Sequence, residues 1–198
     1  MVSFIYEVLW VRLLGFILGA STAAFATMLA SFLIGISLGS ALASRFATDL
    51  RRAGLGFAAA QLATALMAWL TFSLADSVPA LAQSLGASSS NLLPGAVLSV
   101  LVLLPVTICV GASFPFAVRL MAGDKDDAPS ASARVYAWNT LGTIVGSVSA
   151  GFFLLPALGF EGTLLAGAAV NLVPVSYTHL RAHETEAAVV CRLLLEKK

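Results

Sequence analysis

Apolar residues occupy this chain in long blocks, with polar and charged positions pushed into short gaps between them. A hydrocarbon core about 30 Å thick takes roughly 20 residues of helix to cross. Five blocks approach or reach that length: 2–18, 22–44, 53–75, 96–120 and 135–156. The first is the shortest and is broken by Glu7 and Arg12; the fourth holds Pro105 and Pro115. A sixth block, 160–173, reaches only about 21 Å at 1.5 Å per residue, short of a crossing. The pattern predicts an all-α, polytopic transmembrane helix bundle of five spans plus a truncated sixth, with 1–173 as one membrane-spanning domain.

The gaps carry a sidedness. Gly19, Ala20 and Ser21 form a tight hairpin between the first two blocks. Arg45, Arg51 and Arg52 separate the second from the third, and Arg119, Lys125 and Arg134 surround the fourth-to-fifth connection. The connections 76–93 and 157–160 hold no Lys or Arg. Basic residues on alternate connections fall on one side, which the positive-inside rule makes cytoplasmic, with the amino terminus inside as well. The expectation is an integral protein of a bacterial cytoplasmic membrane.

Composition agrees: the chain is 59% hydrophobic and 11% charged, with mean hydropathy +0.95, against roughly a quarter charged residues in soluble domains. A net charge of +1 provides no basic footprint for nucleic acid. Two cysteines, Cys109 and Cys191, make neither a disulfide framework nor a metal motif. The lipid bilayer is the partner this composition demands; oligomeric state is not legible.

The last stretch, 174–198, departs from the rest. It gathers Arg181, Glu184, Glu186, Arg192, Glu196, Lys197, Lys198 and both histidines. VSYTHLRAHET (175–185) and VCRLLLEKK (190–198) resemble the conceptual translation of a transposase-type sequencing-library adapter, with Val189 where the usual translation has Leu. The resemblance implies that this tail is no native domain and that the natural chain continues differently after about residue 173. It also removes His179, His183, Glu184 and Cys191 from any metal or catalytic argument, although His-x-x-x-His otherwise suggests zinc.

Four sets of residues in the spans bear on chemistry or packing. Glu7 and Arg12 sit in an apolar block, where an ionised side chain costs several kcal/mol (roughly 2.5–3.5 on insertion scales) unless paired or hydrated. They lie about 140° apart on a helix and so each needs a partner elsewhere, or an interfacial position to which Arg12 snorkels. Ser31, Gly35, Gly39 and Ala43 recur every four residues, and Gly142, Gly146 and Ala150 repeat the device. Such ridges let helix backbones approach closely, or line a path. Pro105 and Pro115 are the candidate helix kinks, Pro115 as a packing bend or a moving hinge. Tyr136 and Trp138 suit the headgroup level, while Asn139 lies deeper and needs a partner, either Glu7 or backbone freed by a proline.

YEVLWVRLLG (6–15), GISLGSALASR (35–45), GASFPFAVRL (111–120) and VYAWNTLGTIVGSVSAGFFLLPALG (135–159) occur in an order and spacing that resembles the spermidine-synthase-like integral membrane proteins, also described as fused major-facilitator/spermidine synthase proteins. The resemblance covers residues 6 to about 171. It implies a membrane domain followed by a Rossmann-like, aminopropyltransferase-like cytosolic domain, which would bind decarboxylated S-adenosylmethionine and activate an amine. No Gly-x-Gly-x-x-Gly follows a strand pattern here, so no catalytic, cofactor or metal residue is carried over.

The leading expectation is therefore the truncated amino-terminal membrane domain of a membrane-bound, spermidine-synthase-like protein, anchoring a missing carboxy-terminal domain. Glu7, Arg12, Tyr136 and Asn139 are its intramembrane polar candidates. The alternatives are a major-facilitator-like small-solute transporter, in which those residues line the path, and a purely structural anchor.

Overall fold

The computed structural model describes residues 2–19, 21–87, 92–122 and 127–195. Lys125 lies outside the described residues. Seven helices follow one another: α1 (Val2–Leu18), α2 (Thr22–Ser44), α3 (Leu50–Ser73), α4 (Val78–Leu85), α5 (Leu92–Met121), α6 (Ala128–Val148) and α7 (Leu155–Leu195). No strand occurs among the described residues. Among the described residues, four stretches are long and apolar enough to cross a membrane: Thr22–Ser44, Leu50–Ser73, Leu93–Met121 and Ala128–Val173. α1, at 17 residues, is shorter than these.

Local chemistry sets the ends. Gly19 takes φ 83°, and the Ser21 hydroxyl accepts from the Ala24 N–H at 3.1 Å, so a left-handed residue and an N-cap together turn α1 into α2. α6 starts seven residues earlier than the apolar pattern implied. Pro129 sits in its first turn, where a missing N–H costs nothing. Arg134 ties the start down by donating to Asp127 at 2.9 Å and to the Met121 carbonyl at 3.0 Å. α4 is a further helix that the sequence reading left inside a connection; its one inward face carries Val78 and Ala82.

The stretch Ala128–Val173 contains two departures from a straight helix. Ser149–Leu154 forms a widened π-helical turn. Pro156 has no N–H for the Phe152 carbonyl and its ring crowds that oxygen, which accounts for the loosened turn before it. Gly159 then breaks the path at φ 67°, ψ −171°, a backbone region open essentially to glycine alone. The break falls in the connection 157–160. After it the helical backbone continues through Pro174 to Leu195. Ala, Leu, Glu and Arg are strong helix formers, so this conformation is what intrinsic propensity gives such a tail whatever its origin.

Packing inverts the order usual in water. Large side chains point outward: Phe16 is 91% exposed, Phe152 76% and Leu93 78%, and they belong to a surface covered in Leu, Ile, Val and Phe. The interior is rich in Ala, Gly, Ser and Thr along α2, α3 and α6. Contiguous apolar surface on this scale has no stable place in water, whereas lipid tails are as apolar as the side chains that meet them. Buried hydroxyls return their hydrogens to their own helix: Thr64 to Ala60, Ser99 to Gly95 and Thr107 to Leu103, at 2.7–2.9 Å. That arrangement gives each of these hydroxyls an acceptor where water is absent.

Candidate functional site

Two interhelical seams of the bundle differ in what they bury. The first joins α2 to α5. A Cβ built on Gly35 would lie 1.8 Å from the Thr107 hydroxyl, one on Gly39 would lie 2.0 Å from the Ile108 carbonyl oxygen, and one on Gly111 would lie 2.2 Å from the Ile36 carbonyl oxygen. Backbone meets backbone here, with Ser31 and Ala43 buried at either end of the same ridge. Phe116 closes the neighbouring contact by lying flat over Gly56, where a Cβ would come within 2.5 Å of its ring, beside Ala43 and Ala53. This seam has no room for a ligand.

The second seam joins α1 to α7. Tyr6 is 1% exposed and Trp10 2%. The Tyr6 ring presses on Gly167, where an added Cβ would sit 2.9 Å from its Cε1. The Tyr6 hydroxyl accepts a long hydrogen bond, 3.5 Å, from the buried Asn171 amide. Nearer the far end, Trp10 meets Phe160 edge-on at 6.2 Å between ring centres, and Phe160 stacks on Phe72 of α3 at 5.7 Å. The contacts 6 with 167–171 and 10 with 160 make the pair antiparallel.

Polar atoms are left over on α1 beside the residues that make this seam. Among the described residues, Glu7 Oε2 and Trp10 Nε1 are buried atoms with no hydrogen-bond partner, the Glu7 side chain as a whole being half-buried. They are three residues apart on α1, hence neighbours on its surface. One is an acceptor and the other a donor. A buried polar atom without a partner costs about 1–3 kcal/mol, so two of opposite kind on adjacent turns mark a place for something outside the described chain.

The remaining polar candidates stand apart. Arg12 is exposed on the other side of α1. Tyr136 is 67% and Trp138 69% exposed. Asn139, expected to bond Glu7 or proline-freed backbone, is exposed and meets neither. It shares a helix face with Val135 and Gly146, which are buried, but the bundle leaves that face open between them. Gly142 is half-buried and Ala150 fully so. Pro105 and Pro115 lie inside a continuous α5. Asn171, Gly167 and Phe160 escaped the sequence reading, because nothing local distinguishes them from the apolar run around them. The signal that could have found them is the four-residue spacing of Thr163, Gly167 and Asn171.

At one end of the bundle, Arg119 donates from Nε to the Thr48 carbonyl at 3.0 Å. That bond brings the α5 terminus to the α2–α3 connection, so Arg45, Arg51, Arg52, Arg119 and Arg134 share one end. No family model, curated protein or solved structure matches this chain.

Proposed function

We propose that the chain is the membrane-embedded part of a spermidine-synthase-like integral membrane protein, and that the α1–α7 seam binds a small protonated amine. In this reading Glu7 supplies the counter-charge, while Tyr6 and Trp10 supply aromatic walls that favour a cation. A water carried with the amine accepts from the Trp10 indole. The single observation that carries the proposal is the pair of partnerless polar atoms, Glu7 Oε2 and Trp10 Nε1, beside the buried Tyr6–Asn171 bond.

The same reading gives five spans and part of a sixth, with α1 crossing and Gly159 dividing the fifth from the sixth. The arginine-bearing end faces the cytoplasm. The hairpin at Gly19–Ser21 puts the start of α1 at that end too. The anchored partner is a cytosolic aminopropyltransferase-like domain following the sixth span.

Calorimetric titration of the detergent-purified protein with spermidine tests the site. Binding is expected, weakened at least about tenfold by Glu7→Gln, the effect of losing one charge-assisted bond. Absence of binding to the unaltered protein, or equal binding by the variant, removes the proposal. Sequencing the gene from independent genomic DNA tests the family assignment separately, through the presence of a soluble glycine-rich α/β domain.

A further inference from the structure

The arginine end contains a cleft of about 470 Å³ between the α2–α3 connection, the end of α5 and the start of α6. That volume falls within the roughly 300–1,000 Å³ of small-molecule sites. α5 lines it with Phe114, Pro115, Val118 and Arg119, while Ser40 of α2, Thr48 of the α2–α3 connection and Ser132 of α6 line it from the neighbouring elements. Arg119 is fixed by its Nε bond to the Thr48 carbonyl. A guanidinium has five N–H donors in a planar fork, and no other hydrogen bond or ion pair involves this one among the described residues. Its terminal amino groups are therefore held in place with donors to spare.

The charges around the cleft favour an anion. Among the described residues, the carboxylates at this end are each matched to an arginine, Asp49 to Arg52 at 3.5 Å and Asp127 to Arg134 at 2.9 Å; Asp124 and Asp126 of the same connection lie outside the described residues. Arg45, Arg51 and Arg119 have no carboxylate partner among the described residues. By sequence this end holds Arg45, Arg51, Arg52, Arg119, Lys125 and Arg134 against Asp49, Asp124, Asp126 and Asp127, a positive balance, and the cleft holds a guanidinium fork together with three hydroxyl-bearing side chains. That is the donor geometry of phosphate recognition. Phe114, Pro115 and Val118 continue the recess as an apolar wall along α5, which suits a phosphate that carries an apolar substituent better than a bare ion.

We propose that this cleft binds a phosphate group, namely that of an anionic phospholipid headgroup at the membrane surface. Basic recesses between membrane helices are suited to such headgroups. The inference needs the bundle to be in a membrane but is independent of amine binding at α1 and α7, so either can fail alone.

The test compares thermal midpoints of the full chain in micelles supplemented with phosphatidylglycerol, with phosphatidylcholine of the same acyl chains, or with inorganic phosphate. Phosphatidylglycerol is expected to raise the midpoint above phosphatidylcholine, with an apparent affinity reduced about ten- to hundredfold by Arg119→Gln and partly retained by Arg119→Lys. Ser132→Leu fills the recess while leaving the Arg119–Thr48 bond in place, and is expected to abolish the preference. Arg45→Gln, outside the recess, keeps it. The midpoint in phosphatidylcholine reports the folding of every variant. Equal, Arg119-dependent stabilisation by inorganic phosphate keeps the phosphate site but overturns its lipid source. No preference in the unaltered protein, or a preference undiminished in both Arg119→Gln and Ser132→Leu, overturns the site.

Discussion

The seam between α2 and α5 and the seam between α1 and α7 solve opposite problems with the same bilayer in mind. In the first, glycines remove every side chain that could hold two backbones apart, so that dispersion and weak Cα–H···O contacts act at short range. In the second, two large aromatic residues of α1 meet α7, and on the same helix a carboxyl oxygen and an indole N–H have no partner among the described residues. Close contact leaves nothing over; looser contact between bulky rings leaves polar atoms that a ligand can use. The comparison separates a structural interface from a candidate site without appeal to any relative.

Breaking the second seam has the largest expected effect. Trp10→Ala removes a buried ring that meets Phe160, and about 2–4 kcal/mol of packing should be lost, since lipid offers no transfer gain to offset the void. Unfolding by titrated denaturing detergent, followed by circular dichroism, measures it. The first seam is tested next by one substitution at two glycines. Gly39→Ala drives a methyl into the Ile108 carbonyl, which cannot yield as a side-chain tip would, and is expected to cost about 1–3 kcal/mol. Gly15→Ala meets nothing within 4 Å and is expected to stabilise by about 0.5–1 kcal/mol through helix propensity. Effects of the same sign at both positions would remove the argument that Gly39 is there for close approach. The smallest effect is Tyr6→Phe. Its bond to Asn171 is 3.5 Å long, and its loss should cost about 0.5 kcal/mol, near the average for hydrogen bonds between membrane helices. A loss several times larger would show that the Tyr6 hydroxyl answers more than Asn171.

Much of the first seam was legible in the chain. Ser31, Gly35, Gly39 and Ala43 stand on one helical face by spacing alone, and small residues at that period announce close packing before any partner is known. The partner was not legible: Thr107, Ile108 and Gly111 sit in a block whose pattern does not say which neighbour it meets. Arg45, Arg51, Arg52, Arg119 and Arg134 alternate along the connections in a way that already groups them, and the Arg119–Thr48 bond is the contact that follows. Asn139 shows the converse. Its depth in an apolar run suggested a partner, and the bundle left it open, because burial depends on what lies opposite rather than on what lies beside a residue in sequence.

By itself the sequence determined that the chain is helical, that several of its helices suit a bilayer, and where α1 and α2 start and stop, because the length of an apolar run, a capping serine and a left-handed glycine act over a few residues. Only the tertiary structure decided which polar atoms go without partners. By sequence Glu7 needs a partner or an interfacial position; only the return of α7 along α1 brings Phe160 to Trp10, and Gly167 and Asn171 to Tyr6, from the other end of the chain.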